Sequence, residues 1–471
     1  MNPPSPLPGK LLVRGIALAV ALGIWFAPIP EGLTPKAWHL FAIFGATILS
    51  VILTAFPLLT AAMIALAAAV LTGTVAPAKA FGGFANSSVL LVVIAFLVAR
   101  GVVKSGLGRR ISYMVVRLFG RSTLGLAYSI FFTDAVIAPA FPSNTARGGV
   151  LFPIVLALAE SGGSRPEDGT ARRMGAYLMF CGIASLSVSS ALWLTATSVN
   201  PIGVEIGGTF GVDASFGKWL LAASVPALTT ILLLPLVLYK IFPPEVKETP
   251  EAPAAAREAL RTMGPMCRDE KIVAVAFALM ITGWILAGTL NLDRTAVAFA
   301  GLGALLATSV LTLDDFSREG DTLATFLWLA VLFALSGQLN EMGFMGYVGE
   351  RLAAGLGGVS WPVAYVALIV LYVLMHYLFV SQSSQVLALF GVFLEVGIRT
   401  GVPKEFIAFA LLFASSYFSV ITPQGGSQNV IFVGAGYNTQ GELYRMGAVT
   451  TAFNLLVFLV VGTPWIMFVT R

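Results

Sequence analysis

Pro142-Ser143-Asn144-Thr145 sets small polar residues between two apolar stretches, 124–141 and 148–159. Ser381-Gln382-Ser383-Ser384 interrupts another apolar stretch later in the chain. Such groups are costly in hydrocarbon unless they line a cavity or a binding site. If a helix begins at each break, its leading N–H groups have no intrahelical partner and carry about half a positive charge. Ser and Thr hydroxyls and the Asn and Gln amides add donors beside them. That is chemistry for holding a carboxylate without a dedicated Arg, while carbonyls unwound just before the break face a cation. For one isolated break, a kinked helix with Ser and Thr bonded back to their own turn is the plain alternative. Matching breaks in two halves favour a substrate site.

Two further interruptions sit in otherwise apolar runs. Thr195-Ala196-Thr197-Ser198 precedes Asn200-Pro201, and Thr422-Pro423-Gln424-Gly425-Gly426 breaks a later segment. Proline removes a backbone donor and glycine permits the turn that follows. Carbonyls and hydroxyls freed at Thr195, Thr197, Ser198, Thr422, Pro423, Gln424 and Gly425 are placed to complete sites begun by the two tips. Two charges fall within the first hairpin, Asp134 and Arg147. An ion pair between its arms is the expected arrangement, because either charge alone is costly at depth. Arg147, just past the tip, has two further readings: it reinforces an anion site, or it takes the place of a coupling cation. His376, on an apolar arm, reads as a packed or hydrogen-bonded residue rather than a proton carrier.

The elements around these residues follow from the apolar runs. Spans are expected near 11–27, 37–54, 57–74 and 87–103, followed by an amphipathic interfacial helix at 108–121. The first hairpin occupies 124–160, its arms short for a bilayer of about 30 Å and so re-entrant. A broken span covers 171–207 and another span 216–241. Residues 243–268, rich in Pro, Ala and charge, read as a flexible cytoplasmic linker. The second half repeats the order: spans near 270–289, 294–313 and 322–340, an interfacial stretch at 343–358, a hairpin at 361–399, a broken span at 404–436 and a last span at 441–469. With an odd number of spans between them, the copies are inverted. The expected fold is therefore an all-α polytopic membrane protein of about 11 membrane helices plus two re-entrant hairpins in two inverted repeats.

Composition agrees. The chain has 471 residues, 57% hydrophobic and 11% charged, with mean hydropathy +0.89. A pI near 9.2 does not signal nucleic acid here, because the basic residues sit in short loops between apolar spans. Placing the N-terminus inside gathers most Lys and Arg on the inner side, including Lys104, Arg109, Arg110, Arg117, Arg121, Arg172, Arg173 and Lys240, as the positive-inside rule requires. The two cysteines and two histidines suggest neither a disulfide framework nor a metal centre. The Pro-rich start, 1–10, resembles neither a cleavable signal nor a transit peptide. No Walker loop, dinucleotide fingerprint or zincin motif is present, so uphill transport is expected to draw on an ion or a counter-substrate.

Pro142-Ser143-Asn144-Thr145-Ala146-Arg147-Gly148-Gly149 resembles the first signature motif of the divalent anion/sodium symporter family. Further stretches are similar to its branch of 2-oxoglutarate/malate translocators and citrate–succinate exchangers: 30–42, 104–110, 124–128 and His376-Tyr377-Leu378-Phe379. The resemblance runs over roughly 15–470. It implies a homodimer whose protomers pair a scaffold (1–121 and 270–358) with a transport domain (122–242 and 359–471) that moves as an elevator, joined by the linker at 243–269. It implies substrate binding at Ser143, Asn144 and Thr145, with Ser381, Gln382, Ser383 and Ser384 opposite and Thr197, Ser198, Thr422, Pro423 and Gln424 from the broken spans. Where sodium is used, Ser143, Asn144, Thr195 and Gly425 frame a cation site. The second half departs from the family pattern. Ser381-Gln382-Ser383-Ser384-Gln385 stands where the branch has Ser-Gln-Thr-Ala-His, and Thr422 to Gln428 lacks its His-Tyr-Gly-Thr-Gly. Glutamine cannot titrate but still donates to a carboxylate.

These readings lead to a secondary carrier of C4–C6 di- and tricarboxylates working by exchange, in a bacterial inner membrane, with no cofactor beyond a possible sodium ion. Sodium-coupled symport, a sulfonated or other divalent anion as cargo, and an anion channel are the alternatives. An intramembrane enzyme is disfavoured, because no nucleophile has a base near it in sequence.

Overall fold

A computed structural model describes residues 7–471 except 318, 319, 356, 357, 380 and 424, with side chains from residue 11 onward. Gln424, expected to bind substrate, lies outside the described residues. Among those described, every regular element is a helix or a helical turn. Seven helices are long and apolar enough to cross a membrane, and four shorter apolar helices accompany them. Large apolar side chains such as Leu18, Leu71, Leu279 and Phe468 are exposed. Exposed apolar side chains of this size suit a lipid-facing surface.

The chain divides into two compact units, one of Met1–Val93, Ile202–Asp213 and Glu319–Leu411, the other of Ile94–Pro201, Ala214–Arg318 and Leu412–Arg471. This grouping differs from the expected scaffold and transport segments: the first hairpin and both span breaks belong to the second unit, and the second hairpin belongs to the first.

In the second unit, the helix Gly175–Leu192 is buried along its whole length. A helix wrapped on every side is expected to be apolar all round, and this one also carries Ser185, Ser187, Ser189 and Ser190. Their hydroxyls find partners inside the unit; that of Ser187, for example, donates to the Ser416 carbonyl at 2.8 Å. The hairpin arms Thr123–Ile137 and Asn144–Ser161 both pack on this helix.

The interfacial helix Leu107–Phe119 begins after Gly106, whose φ of 82° lies in the left-handed region. Gly343, at φ 83°, opens its counterpart Phe344–Ala354 in the first unit. A Cβ at Gly106 would meet only the tip of Arg109 at 3.8 Å, so the cost of a side chain there is one of backbone conformation alone. Gly106→Ala is expected to lower stability by about 1–2 kcal/mol, read as an earlier thermal unfolding transition in detergent with no change in substrate affinity.

The segment 243–268 is not a flexible linker. It contains the helix Glu251–Met263, which buries Ala252, Pro253 and Ala256 and packs against Leu107–Phe119. The chain before it is pinned as well: the Thr123 amide donates to the Lys247 carbonyl at 3.0 Å, and Val246 to that of Arg173 at 2.8 Å. Composition missed this because the buried face consists of alanine and proline, which look like linker residues. Arg110 then fastens the helix to the next span through a buried ion pair with Glu270 at 2.6 Å and a bond to the Gly264 carbonyl at 2.9 Å. Lys104 ties to Asp315 at 2.6 Å. The hydrogen bond from Lys104 is the main cause that holds the Asp315 carboxyl down to about 2. A depressed carboxyl stabilises the fold above its ordinary range and ceases to do so only as pH falls through the lowered value, so this tie persists into strong acid.

Candidate functional site

The first tip follows the backbone logic expected of it. The arm Thr123–Ile137 ends in a tight turn at Ala138–Ala140, and Pro142 precedes a Ser143 in extended conformation (φ −136°, ψ 121°). Ser143 is an N-cap: its hydroxyl accepts from the Ala146 amide at 3.2 Å, and its carbonyl accepts from the Arg147 amide at 3.0 Å. The helix Asn144–Ser161 starts there, so its positive end is set at the tip.

The broken spans close around this tip. The helix Gly175–Leu192 stops before Trp193, and the chain resumes as Val199–Thr209. Thr195 Oγ1 donates to the Pro139 carbonyl at 2.9 Å, and the Ser198 amide donates to that of Pro142 at 2.9 Å. From the other break, Thr145 Oγ1 donates to Ser427 Oγ at 2.7 Å, at the head of the helix Ser427–Gly434. Thr145 and Ser427 are exposed, and Ser143, Ser198 and Thr422 are half-buried. Asn144, Thr195 and Thr197 are buried beneath them. Gly425 closes a turn onto the Thr422 carbonyl at 3.1 Å.

Under the tip lies a buried ion pair. Arg147 and Asp134 are both fully buried and paired, Nε to Oδ1 at 3.0 Å. The second carboxylate oxygen of Asp134 accepts from Ser189. The outer face of the guanidinium turns to neutral oxygens: Asn144 Oδ1 at 3.0 Å, the Leu186 carbonyl at 2.9 Å, Ser190 Oγ at 2.7 Å and the Ala196 carbonyl at 3.3 Å. Ser190 Oγ also lies 2.7 Å from Asn144 Oδ1. These donors fix the Asn144 amide with its oxygen inward toward Arg147 and Ser190 and its Nδ2 as the donor end.

Two asparagines clamp the breaks in matching fashion. Asn200 Nδ2 donates to the carbonyls ten and seven residues earlier, Ser190 at 2.7 Å and Trp193 at 3.0 Å. Asn429 Nδ2 does the same to Ser419 at 2.7 Å and Thr422 at 2.9 Å, again ten and seven residues back. The two sets stand 229 residues apart, the separation of the bonded pair Ser187 and Ser416. This repeated geometry gives the internal repeat a physical signature. Asn200→Ala and Asn429→Ala each orphan two carbonyls, one buried (Ser190 or Ser419) and one half-buried (Trp193 or Thr422), the buried one at about 1–3 kcal/mol. Each is expected to raise the transport KM several-fold while folded protein is still recovered; an unchanged KM would make the clamps irrelevant to the site.

The second tip, in the other unit, has the same build. Ser381 is extended (φ −148°, ψ 134°), and its carbonyl accepts from the Gln385 amide at 3.2 Å. Gln382–Gln385 starts the second arm, followed by a π-helical turn at Val386–Phe390. Gln382, Ser383 and Ser384 are buried, and Ser384 Oγ has no partner among the described residues. Where the first tip has Arg147, the second has Gln385. Its Nε2 donates to the Tyr372 carbonyl at 2.8 Å, and its Oε1 lies 2.5 Å from His376 Nδ1. An amide oxygen only accepts, so Nδ1 carries the proton. Tyr372 precedes Gln385 by 13 residues, the spacing that separates Asp134 from Arg147 in the first half. A charged tie has become a neutral one.

Of the expected residues, Ser143, Asn144 and Thr145 come together with Thr195 and Ser198, while Thr422 is joined to the group through Asn429 and Ser427. Ser381 to Ser384 fall in the separate unit. Reasoning from sequence missed Ser189, Ser190 and Ser427 as partners of the tip. It named Asn200 only as a proline neighbour and Asn429 not at all. The repeated Ser-x9-Asn spacing was the available signal.

The family model for the sodium:sulfate symporter transmembrane region matches residues 9–470. YflS of Bacillus subtilis, which carries a provisional malate-transporter name, is 42% identical over 97% of this chain and 96% of its own. The chloroplastic dicarboxylate transporter 1 of Arabidopsis thaliana is 37% identical over 99% of this chain and 85% of its own. The inner membrane protein YbhI of Escherichia coli is 33% identical over 96% of each. Among solved structures, the Alcanivorax borkumensis YdaH transporter aligns with TM-score 0.57 at 16% identity over 98% of this chain and 97% of that one. Neisseria gonorrhoeae MtrF aligns with TM-score 0.59 at 17% identity over 98% and 95%. These two share the fold. Matched by the family model along nearly its whole length, and by full-length relatives at 33–42% identity, the chain belongs to the divalent anion/sodium symporter family.

Proposed function

We propose that this integral membrane transporter carries C4–C6 di- and tricarboxylates by anion exchange, without a sodium requirement. The carrying observation is the guanidinium of Arg147. It takes up Asn144 Oδ1, an oxygen of the expected cation site, together with the carbonyls of Leu186 and Ala196. A guanidinium thereby ties up a side-chain oxygen that a cation at this tip would need. Asp134 offsets its charge, so Arg147 acts by holding Asn144 rather than by touching the anion. The anion meets the helix head at Ser143, the Asn144 amide and the hydroxyls of Thr145, Ser198 and Thr422. The second tip offers donors of the same kind at Gln382, Ser383 and Ser384. The names of the Bacillus and Arabidopsis relatives support dicarboxylates as cargo.

The remaining features of this reading are a homodimer, elevator motion of the substrate-bearing segments, a bacterial inner membrane and a cytoplasmic N-terminus. The name of the Escherichia coli relative supports the membrane assignment. Sodium coupling is the second reading, and one observation favours it: Asn200 Oδ1, Asn429 Oδ1 and the whole Gln428 amide are buried with no partner among the described residues.

A competition binding screen on purified protein separates these cases, using malate, succinate, 2-oxoglutarate, citrate, sulfate and a sulfonated analogue, each with sodium or choline. The exchange reading expects carboxylate affinity that is equal in both salts. Affinity that appears only with sodium would replace it with symport, and binding of sulfate or sulfonate alone would remove the carboxylate class.

A further inference from the structure

The helices Leu7–Phe26, Pro35–Ile52 and Leu58–Leu71 of the first unit enclose a groove of about 430 Å³. Its floor is made of small side chains, among them Ala17, Ala21, Ala46 and Ala65. Leu18 and Ile64 at its sides are 61% and 52% exposed, so it opens on the face that meets lipid. Its two hydroxyls are turned away from it: Thr47 Oγ1 donates to the Ile43 carbonyl at 2.7 Å, and Ser50 Oγ to that of Thr47 at 2.8 Å. A buried water needs two to four polar partners and about 30 Å³ of liquid volume. This space is far larger and offers few such partners, so a hydrocarbon chain suits it better than water.

One charge lies on the wall. Arg14 Nε donates to the Ala55 carbonyl at 3.2 Å, and its guanidinium lies over the Phe56 ring, 4.7 Å from the centroid. These contacts hold the plane of the group without using its two terminal amino groups, and the residue is exposed. A planar, oriented guanidinium with spare donors is a phosphate receptor. Arg14 stands in the first turns of the chain's first helix, whose start the charge bias puts on the inner side.

We infer that this groove binds an anionic phospholipid of that leaflet, one acyl chain lying along the alanine floor and the phosphate on Arg14. The site shares no lining residue with the tips and does not depend on which anion they carry.

Native mass spectrometry of the full-length detergent-solubilised protein tests it, with equimolar phosphatidylglycerol and phosphatidylcholine as probes. Wild type is expected to retain phosphatidylglycerol several-fold over phosphatidylcholine, because both offer Arg14 a phosphodiester but the choline cation of phosphatidylcholine offsets its charge and is repelled by the guanidinium. Arg14→Gln should bring the two lipids level and Arg14→Lys should restore part of the preference. Ala46→Phe, which fills the groove, should remove both adducts. Equal retention of the two lipids by wild type would overturn the proposal. So would an undiminished phosphatidylglycerol adduct in Ala46→Phe. Loss of dimer in Ala46→Phe with lipid retention unchanged would instead show the groove to be an interface between copies, which also overturns it.

Discussion

Arg147→Leu, made alone, is expected to yield little folded protein. The change strands the fully buried Asp134 carboxylate. Breaking a buried pair by removing one partner costs about 3–5 kcal/mol, a large part of the total stability of an ordinary domain. Asp134→Leu/Arg147→Leu removes both charges, and apolar replacement of a buried pair is often neutral. The double variant should therefore regain the unfolding temperature of wild type to within a few degrees. It should regain transport only in part. Without the guanidinium, Asn144 Oδ1 loses one of the two donors that orient it, Arg147, and retains Ser190. A KM raised about tenfold is expected, the scale of one or two lost oriented hydrogen bonds. Wild-type uptake by the folded double variant would reduce Arg147 to a structural charge.

Asn144→Asp should separate fold from function in the opposite way. Aspartate keeps the oxygen that accepts from Arg147 and Ser190, so folded protein is expected in ordinary yield. It replaces the Nδ2 donor with a second acceptor and adds negative charge at the tip. Like charges brought together at a binding surface cost several kcal/mol, so carboxylate uptake should fall by at least about a hundredfold. The check is uptake in proteoliposomes beside an unfolding curve for the same preparation. A variant that transports normally would move the anion away from this tip.

Much of the architecture could be read from apolar runs. The expected break at 195–198 falls in the interval between the helices Gly175–Leu192 and Val199–Thr209. The tip serines stand at both helix heads as N-caps. These features were legible because proline, glycine and small polar residues in a hydrophobic segment act on the backbone locally. The clamps were not legible. Asn200 and Asn429 act on carbonyls seven and ten residues away, which only the folded loop brings within reach. The Arg147 network was half legible: its pairing with Asp134 follows from the cost of a lone buried charge, but its grip on Asn144 requires the buried helix carrying Leu186 and Ser190. The docked helix Glu251–Met263 was hidden by its alanine face.

The contrast between the tips bears on coupling. The first carries a guanidinium under its asparagine, and the second a neutral amide bonded to His376. Purely exchange-coupled transport is expected if the first arrangement governs, since its positive group cannot leave with the substrate.

The most direct test is uptake of labelled malate into proteoliposomes preloaded with unlabelled malate, compared with vesicles loaded with chloride, both in sodium-free choline buffer. An exchanger of carboxylates predicts rapid, saturable uptake into the preloaded vesicles and little into the chloride-loaded ones. Equal uptake into both, or uptake that appears only when sodium is added, would contradict the account.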